Sequence, residues 1–65
     1  MKMKTEDLIG KRILLKNGHP HEGEVGTVVD YEKIGVTAEW GFRVELDKGR
    51  ACYVFHDRHM RLIPQ

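Results

Sequence analysis

Cysteine is almost absent from this chain, since Cys52 is the single one among 65 residues. One cysteine excludes an internal disulfide and is typical of a reducing compartment, so we expect a cytoplasmic protein. No uninterrupted apolar run approaches the roughly 20 residues that a membrane-spanning helix needs. The residues that open the chain are mostly polar and lack the apolar stretch of a signal peptide.

A strong excess of charge of one sign is also missing. The chain has 11 basic and 10 acidic side chains, which gives a formal net charge of +1. Composition alone therefore gives no general case for nucleic-acid binding. The acidic side chains are concentrated in residues 22–47, whereas the segments on either side are net basic. This distribution predicts an acidic and a basic patch, or else a mixed surface that keeps a small domain soluble.

The length of the chain allows one domain, which we expect to span residues 1–65. A chain of this size buries only about 60% of the surface that its unfolded form exposes. A two-lobed enzyme and a doubly wound sheet with a nucleotide crevice are both excluded. Residues 1–9 are predicted to be an N-terminal extension, with a single helical turn over residues 5–9 that Gly10 ends.

Short apolar segments separated by glycine, proline, asparagine and aspartate predict a small all-β domain. The clearest segment is Trp40–Leu46, where apolar and polar residues alternate with a period of two. Asp47-Lys48-Gly49 is then a short hairpin connection. The five predicted strands cover residues 12–16, 25–32, 40–46, 51–55 and 60–63. A one-turn 3₁₀ helix over residues 56–59 is expected before the last strand.

Five short antiparallel strands, a long first loop and one 3₁₀ turn before the last strand describe a small SH3-like barrel. Closure would remove the two exposed edges of a flat sheet. Gly26, inside the second strand, predicts a bulge or a tight bend. Cys52 is expected to be a small buried side chain and not a nucleophile. The predicted core is Ile13, Leu15, Val25, Val28, Trp40 or Phe42, Val44, Leu46, Tyr53 or Val54, Leu62 and Ile63.

The first two strands resemble a KOW motif, the strand–loop–strand unit of ribosomal proteins and NusG-type transcription factors. The matching residues are Ile13-x-Leu15-x-x-Gly18 and Gly23-x-x-Gly26-x-Val28. This resemblance implies an SH3-like fold and binding of RNA or DNA. The segment Trp40–Asp47 is similar to a stretch of CAP-Gly domains, another SH3-like family. The Gly-Lys-Asn-Asp-Gly signature with which those domains hold peptide tails is missing.

Over nearly the whole fold, the pattern resembles type II dihydrofolate reductase barrels. The matching positions are Gly10-Lys11-Arg12-Ile13, Gly18, Gly23, Trp40-Gly41-Phe42-x-Val44-Glu45, Tyr53-Val54 and Leu62-Ile63. Those enzymes are tetramers, and a Val-Gln-Ile-Tyr run on the fourth strand carries their chemistry. Here the run is Arg50-Ala51-Cys52-Tyr53, in which only the tyrosine matches. The resemblance supports the barrel, and a small oligomeric reductase-like enzyme is a second alternative for the function.

Four histidines occur in two short motifs, His19-Pro20-His21 and His56-Asp57-Arg58-His59. With Cys52 they contain the ingredients of a zinc site, which needs four nitrogen, sulfur or oxygen ligands in tetrahedral reach. No Cys-x-x-Cys pair accompanies them. The interpretation that we favour is that the loop histidines cap turns, and that the protein binds neither a metal nor another cofactor.

The aromatic side chains cluster from Trp40 onward, and an exposed ring flanked by arginines can stack on a nucleobase or a peptide side chain. No complete catalytic set accompanies them. The sequence therefore predicts a non-catalytic interaction module that uses the Asn17–Glu24 loop and an aromatic and arginine surface. A protein partner is slightly preferred because the net charge is near zero, KOW-type nucleic-acid binding is the alternative, and self-association is a further option. The predicted binding residues are His19, His21, Trp40, Arg43, Arg50, Tyr53, Phe55 and Arg58.

Overall fold

A computed structural model describes residues 5–36 and 39–64 of the chain. Its elements are α1 (Thr5–Leu8), β1 (Arg12–Leu15), β2 (Val25–Ile34), β3 (Glu39–Leu46), β4 (Ala51–Val54), a 3₁₀ turn (Asp57–His59) and β5 (Met60–Leu62). The predicted fold class is confirmed, since five antiparallel strands are present and the 3₁₀ turn precedes the last one. Among the described residues, no helix has the length and apolar character needed to cross a bilayer.

The five strands form one sheet in the order β4-β3-β2-β1-β5. The long strand β2 lies in the middle and pairs with both β1 and β3. The edge strands β4 and β5 are not paired with each other within residues 5–36 and 39–64, so the sheet is open where a closed barrel was expected. One consequence is that β4 keeps a free edge, against which a loop can dock.

An extra residue in β2, Val29, changes which side chains face the core. Val28 and Asp30 occupy consecutive pairs with β3, so Val29 has no partner and forms a bulge. Side chains alternate across a strand, and without the bulge Asp30 would face the same side as Val28. Because of the bulge, Tyr31 takes that side instead and pairs with Phe42.

The sequence predicted a bulge or a tight bend at Gly26, and the bulge at that position was wrong. Gly26 is regularly paired with Ile13 on one side and with Leu46 on the other. A Cβ atom at this position would lie 2.7 Å from the carbonyl oxygen of Glu45 and 2.8 Å from Cγ1 of Val44. The chain needs glycine here because β3 passes too close for a side chain.

The core lies on one face of the sheet. Its buried residues are Ile13, Leu15, Val28, Phe42, Val44, Leu46, Cys52 and Val54. Cys52 is therefore buried as predicted. The sequence left two core positions open between two residues each, Trp40 or Phe42 and Tyr53 or Val54. Phe42 and Val54 are the buried ones, whereas Trp40 and Tyr53 are exposed.

Three predicted core residues lie outside this core. Val25 is only partly buried because it pairs with Leu14, on the face of β1 opposite to Ile13. Leu62 is 41% exposed because β5 is an edge strand with a neighbour on one side only. Ile63 follows the end of β5 and is also only partly buried.

Candidate functional site

An open pocket lies beside β4, between the β1–β2 loop (residues 16–24) and the 3₁₀ turn. Its volume is about 390 Å³, which is in the range of binding sites for small ligands and single side chains. The lining residues are His19, Pro20, His21, Glu39, Cys52, Tyr53, Phe55, His56 and His59. All four histidines of the chain are among them, and we refer to this site as the histidine pocket.

Three hydrogen bonds hold the β1–β2 loop against the 3₁₀ turn. The backbone N–H of Lys16 donates to the carbonyl of His59 at 2.9 Å, and Nδ1 of His59 donates to the carbonyl of Lys16 at 3.3 Å. The side-chain amide of Asn17 donates to the carbonyl of Arg58 at 2.6 Å. The two loops that carry the pocket histidines therefore form one connected wall.

His19 is the buried histidine of the pocket, with only 9% of its surface exposed. Its Nε2 lies 3.0 Å from the backbone carbonyl oxygen of Tyr53, and its Nδ1 lies 3.0 Å from the backbone N–H of His21. A carbonyl only accepts and a backbone N–H only donates, so Nε2 carries the proton and the ring is neutral. The predicted role of a loop histidine as a turn cap is confirmed for His19, which also ties the loop to β4.

The other pocket histidines are bonded differently. His21 donates from Nδ1 to the carboxylate of Glu24 at 2.9 Å, as His59 does to the carbonyl of Lys16. The ring centroid of His19 lies 5.8 Å from that of His21 and 5.8 Å from that of His59. The centroids of His56 and His59 are 6.0 Å apart. The four imidazoles are thus a continuous chain of neighbours around the pocket.

In the part of the chain that the structure describes, no group of three or more histidine, cysteine or acidic side chains is placed to hold a metal ion. Cys52 lines the pocket, but burial and the negative charge of Glu24 raise the pKa of its thiol above the ordinary value of 9.0. At neutral pH this thiol stays protonated, and a protonated thiol is a poor nucleophile and a poor metal ligand.

Two half-exposed aromatic rings form the wall of the pocket on the β4 side. Tyr53 is 41% exposed and Phe55 is 40% exposed. Phe55 packs over Gly41, where a Cβ atom would lie 2.9 Å from its ring. Tyr53 pairs directly with Arg43 of β3, and both side chains are exposed on the outer face of the sheet. The wall is therefore apolar at the pocket and has a cation at its outer side.

The structure brings together half of the predicted binding residues. The four that line the histidine pocket are His19, His21, Tyr53 and Phe55. Arg43 does not line the pocket but pairs with Tyr53, which does, and Arg58 lies in the 3₁₀ turn. Trp40 lies elsewhere and stacks on Tyr31, with ring centroids 5.4 Å apart. Arg50 lies at the β3–β4 turn, where its carbonyl accepts a hydrogen bond from Leu46.

The predicted set did not include Pro20, Glu39, Cys52, His56 and His59, which also line the pocket. The His-x-x-His spacing was a usable signal, because residues three apart lie on the same side of a 3₁₀ turn. The sequence carries no such signal for Glu39, which reaches the pocket only through the position of β3 beside β4.

No known protein family, no curated protein and no solved structure matches this chain. The functional argument therefore depends on the geometry and chemistry of the histidine pocket.

Proposed function

We propose that this protein is a non-catalytic interaction module that binds a short segment of a partner protein in the histidine pocket. The observation that carries the proposal is the combination of two half-exposed rings, Tyr53 and Phe55, with Pro20 in one concave site. Concave sites lined by aromatic and apolar groups bury the apolar side chains of a ligand. Aromatic rings contribute strongly to such contacts because they bury a large area at little cost in conformational entropy.

The charges around the pocket favour a peptide over a phosphate backbone. Glu39 lines the pocket, whereas no lysine or arginine of the described segments lines it. Nucleic acids are held through cationic side chains that displace counterions from phosphates. We therefore propose that the partner segment places an apolar side chain on the aromatic wall and a basic residue near Glu39.

We also propose that the protein is cytoplasmic. Cys52 is a free, buried thiol, and proteins that keep free thiols are typical of reducing compartments.

A random peptide library displayed on phage tests the proposal. The protein would be immobilised at pH 8, and the affinity of each selected peptide would be measured for the wild type and for two variants. Tyr53→Ala removes part of the pocket wall but leaves the backbone carbonyl that His19 uses. Trp40→Ala is the matched control, because it removes an exposed ring outside the pocket.

We expect the selected peptides to bind Tyr53→Ala about tenfold more weakly, as is usual for an aromatic hot spot. Trp40→Ala should bind as the wild type does. Peptides that bind both variants equally well would show that the pocket is not the binding site. If repeated selection enriches no peptide, the proposed function is wrong.

Nucleic-acid binding of the KOW type is a second candidate, and the pairing of Arg43 with Tyr53 favours it. An arginine beside an exposed ring is a surface on which unpaired bases stack, while the cation contacts the backbone. Arg58 adds a further cation in the 3₁₀ turn. The same outer face thus offers the two kinds of contact that binding of single strands uses.

Titration with single- and double-stranded oligonucleotides, followed by ¹H–¹⁵N correlation spectra, tests this second candidate. Shifts at Arg43, Tyr53 and the β1–β2 loop that disappear at high salt would support it. Arg43→Gln should abolish these shifts, and Arg50→Gln, which changes an arginine at the β3–β4 turn outside the pocket lining, should not. An unchanged spectrum at low salt would exclude this function.

A further inference from the structure

Asn17 and Gly18 form a pair of neighbours in which the asparagine side chain is chemically labile. Asn17 is the single asparagine of the chain, and both residues are exposed in the β1–β2 loop. Asparagine is one of the thermolabile residues, because the backbone nitrogen of the next residue can attack its side-chain amide carbon. Glycine in the next position has no side chain that would obstruct this attack. The pair is therefore a candidate site of deamidation.

The reaction needs only the chain and solvent water. The nitrogen of Gly18 gives its proton to the solvent and forms a bond to Cγ of Asn17. The bond between Cγ and Nδ2 breaks, and Nδ2 leaves as ammonia with a proton taken from the solvent, so that a succinimide ring remains. Water then opens the ring at either of its carbonyl carbons. The product is an aspartate, or an isoaspartate in which the main chain runs through the side-chain carboxyl carbon.

The backbone conformation of Asn17 keeps the two reacting atoms apart. Its φ of 56° places it in the left-handed region, where ψ is about +30 to +60°. With this ψ, the nitrogen of Gly18 lies on the opposite side of the Cα–C bond from Cβ of Asn17. Closure of the succinimide ring needs the two atoms on the same side, so ψ must rotate by roughly half a turn. The loop therefore cannot react in the conformation that the structure shows.

Two hydrogen bonds hold Asn17 and Gly18 in this conformation. Nδ2 of Asn17 donates to the backbone carbonyl of Arg58 at 2.6 Å, across 41 positions of the chain. The backbone N–H of Gly18 donates to the carboxylate of Glu22 at 2.7 Å. These bonds fix the directions of the Asn17 side chain and of the Gly18 N–H relative to each other. Rotation of ψ by half a turn reverses one direction relative to the other, so at least one of the bonds must break before the attack.

We propose that Asn17 is a modification site controlled by the docking of the β1–β2 loop: it deamidates from the undocked loop, and the product docks more weakly than the asparagine. An aspartate side chain has only acceptor oxygens at neutral pH, so it cannot donate to the carbonyl of Arg58. An isoaspartate also adds an atom to the main chain. One of the three hydrogen bonds between the loop and the 3₁₀ turn is then lost, and the two between Lys16 and His59 remain. The proposal does not rest on the proposed function, and it is measured without a ligand.

Ageing of the whole protein at pH 8 measures the reaction. Mass spectrometry of the digested protein gives the rate at which Asn17 is converted, and labelling by an isoaspartyl methyltransferase detects the isoaspartate. Each rate is measured in buffer and again in guanidinium chloride, where the unfolded chain has no docked loop. The ratio of the unfolded to the native rate is the protection of Asn17. Because each variant has its own unfolded reference, effects of a substitution on the intrinsic chemistry cancel.

Glu22→Ala is the decisive variant, because it frees the N–H of Gly18 and leaves both reacting residues unchanged. Glu24→Ala is the matched control, since it removes a glutamate of the same loop that is bonded to His21 instead. In the wild type we expect the native rate to be about tenfold or more below the unfolded rate, because a hydrogen bond must break first. Glu22→Ala should lower this ratio by about threefold or more, and Glu24→Ala should keep it.

Equal rates in the native and the unfolded wild type would show that docking does not suppress the reaction, and the proposal would be wrong. This comparison needs no variant. The proposal is also wrong if Glu22→Ala folds and keeps the wild-type ratio. A native reaction that becomes slower in Glu22→Ala would overturn it as well, because the carboxylate would then promote the attack by taking the proton of Gly18.

Asn17→Asp tests the weaker docking of the product. The amide of Lys16 donates to the carbonyl of His59, and its hydrogen exchange reports on the docked loop. We expect this exchange to be about threefold to tenfold faster in Asn17→Asp than in the wild type, as for the loss of one hydrogen bond. The amide of Val28, which donates to the carbonyl of Lys11, is the internal control and should not change.

Aged wild-type protein gives the same test without a substitution, because molecules with a converted Asn17 can be compared with unconverted ones in one sample. Faster exchange at Lys16 in the converted molecules supports the proposal. Exchange at Lys16 that is the same before and after conversion would show that the product docks as well as the asparagine does, and would refute the proposal.

Discussion

Asp47 accepts two hydrogen bonds from the guanidinium group of Arg12, one on each carboxylate oxygen and both at 2.6 Å. This pair joins the start of β1 to the turn after β3, across 35 positions of the chain. The hydrogen bonds lower the pKa of Asp47 below its ordinary value of 3.8 and raise the pKa of Arg12. Because both side chains are exposed, the pair fixes the position of the turn more than it stabilises the fold.

Arg12→Gln should raise the pKa of Asp47 back towards 3.8. A carboxylate whose pKa is lower in the folded than in the unfolded state stabilises the fold above its unfolded pKa, and this contribution is lost as the pH falls through the folded pKa. The part of the stability difference that comes from the pairing with Asp47 should therefore be present at neutral pH and disappear in strong acid. Carboxyl ¹³C titration measures the pKa directly, and Arg61→Gln is the control. An identical Asp47 titration in Arg12→Gln would contradict the pairing.

Gly26→Ala should destabilise the protein by about 1–3 kcal/mol, because the added methyl group meets the backbone of β3 at the Glu45 carbonyl. Gly41→Ala is the comparison. Its methyl group would meet the side chains of Phe55 and Ile34, which can move aside. Urea unfolding should show the larger loss for Gly26→Ala. Equal losses would mean that the backbone of β3 moves away from the added methyl group as readily as the side chains of Phe55 and Ile34 do.

His19→Ala should lower the free energy of unfolding at neutral pH by about 1–3 kcal/mol, because the Tyr53 carbonyl of β4 and the His21 N–H of the loop both lose their partner. His56→Ala should change it by no more than about 0.5 kcal/mol, the usual range for exposed positions. Urea unfolding of the two variants at pH 8 provides the comparison. Similar values for both would show that the His19 contacts do not hold the loop.

Cys52 should react slowly with a disulfide reagent at pH 8 and rapidly in urea, because the buried thiol has a raised pKa. A group whose folded pKa is raised stabilises the fold below its unfolded pKa, and this contribution is lost as the pH rises through the folded pKa. Wild-type stability should therefore fall above about pH 9, the ordinary thiol pKa, and that of Cys52→Ala should fall less. Fast labelling in the native state would contradict the burial of the thiol.

The sequence was most informative where a strand has one face in the core. In β3 the alternation of Phe42, Val44 and Leu46 with polar residues predicts both the strand and its buried face, because successive side chains point to opposite sides. The bulge at Val29 could not be located in this way. Val28 and Val29 are chemically the same, and only their pairing with β3 decides which one faces inward.

The residues of the histidine pocket could be predicted only in part, because the sequence shows local patterns but not long-range contacts. The loop histidines His19 and His21 and the rings of Tyr53 and Phe55 were predicted to be binding residues, since their residue types and local spacing are visible in the sequence. The contacts that unite them connect positions far apart, such as His19 with Tyr53 and Lys16 with His59. Local patterns do not encode such distances, so the prediction included Trp40 and Arg50, which lie elsewhere.

The bulge also determines where the length of the chain can change. Strand β2 contains one residue more than its pairing with β3 uses, and the side chain of that residue, Val29, is exposed. Deletion of Val29 would keep Val28 and Tyr31 on the core side, whereas deletion of Arg43 from β3 would move every later side chain of its strand to the opposite face. A one-residue deletion is thus tolerated at a single point of β2. The variant that lacks Val29 should fold, whereas the variant that lacks Arg43 should not.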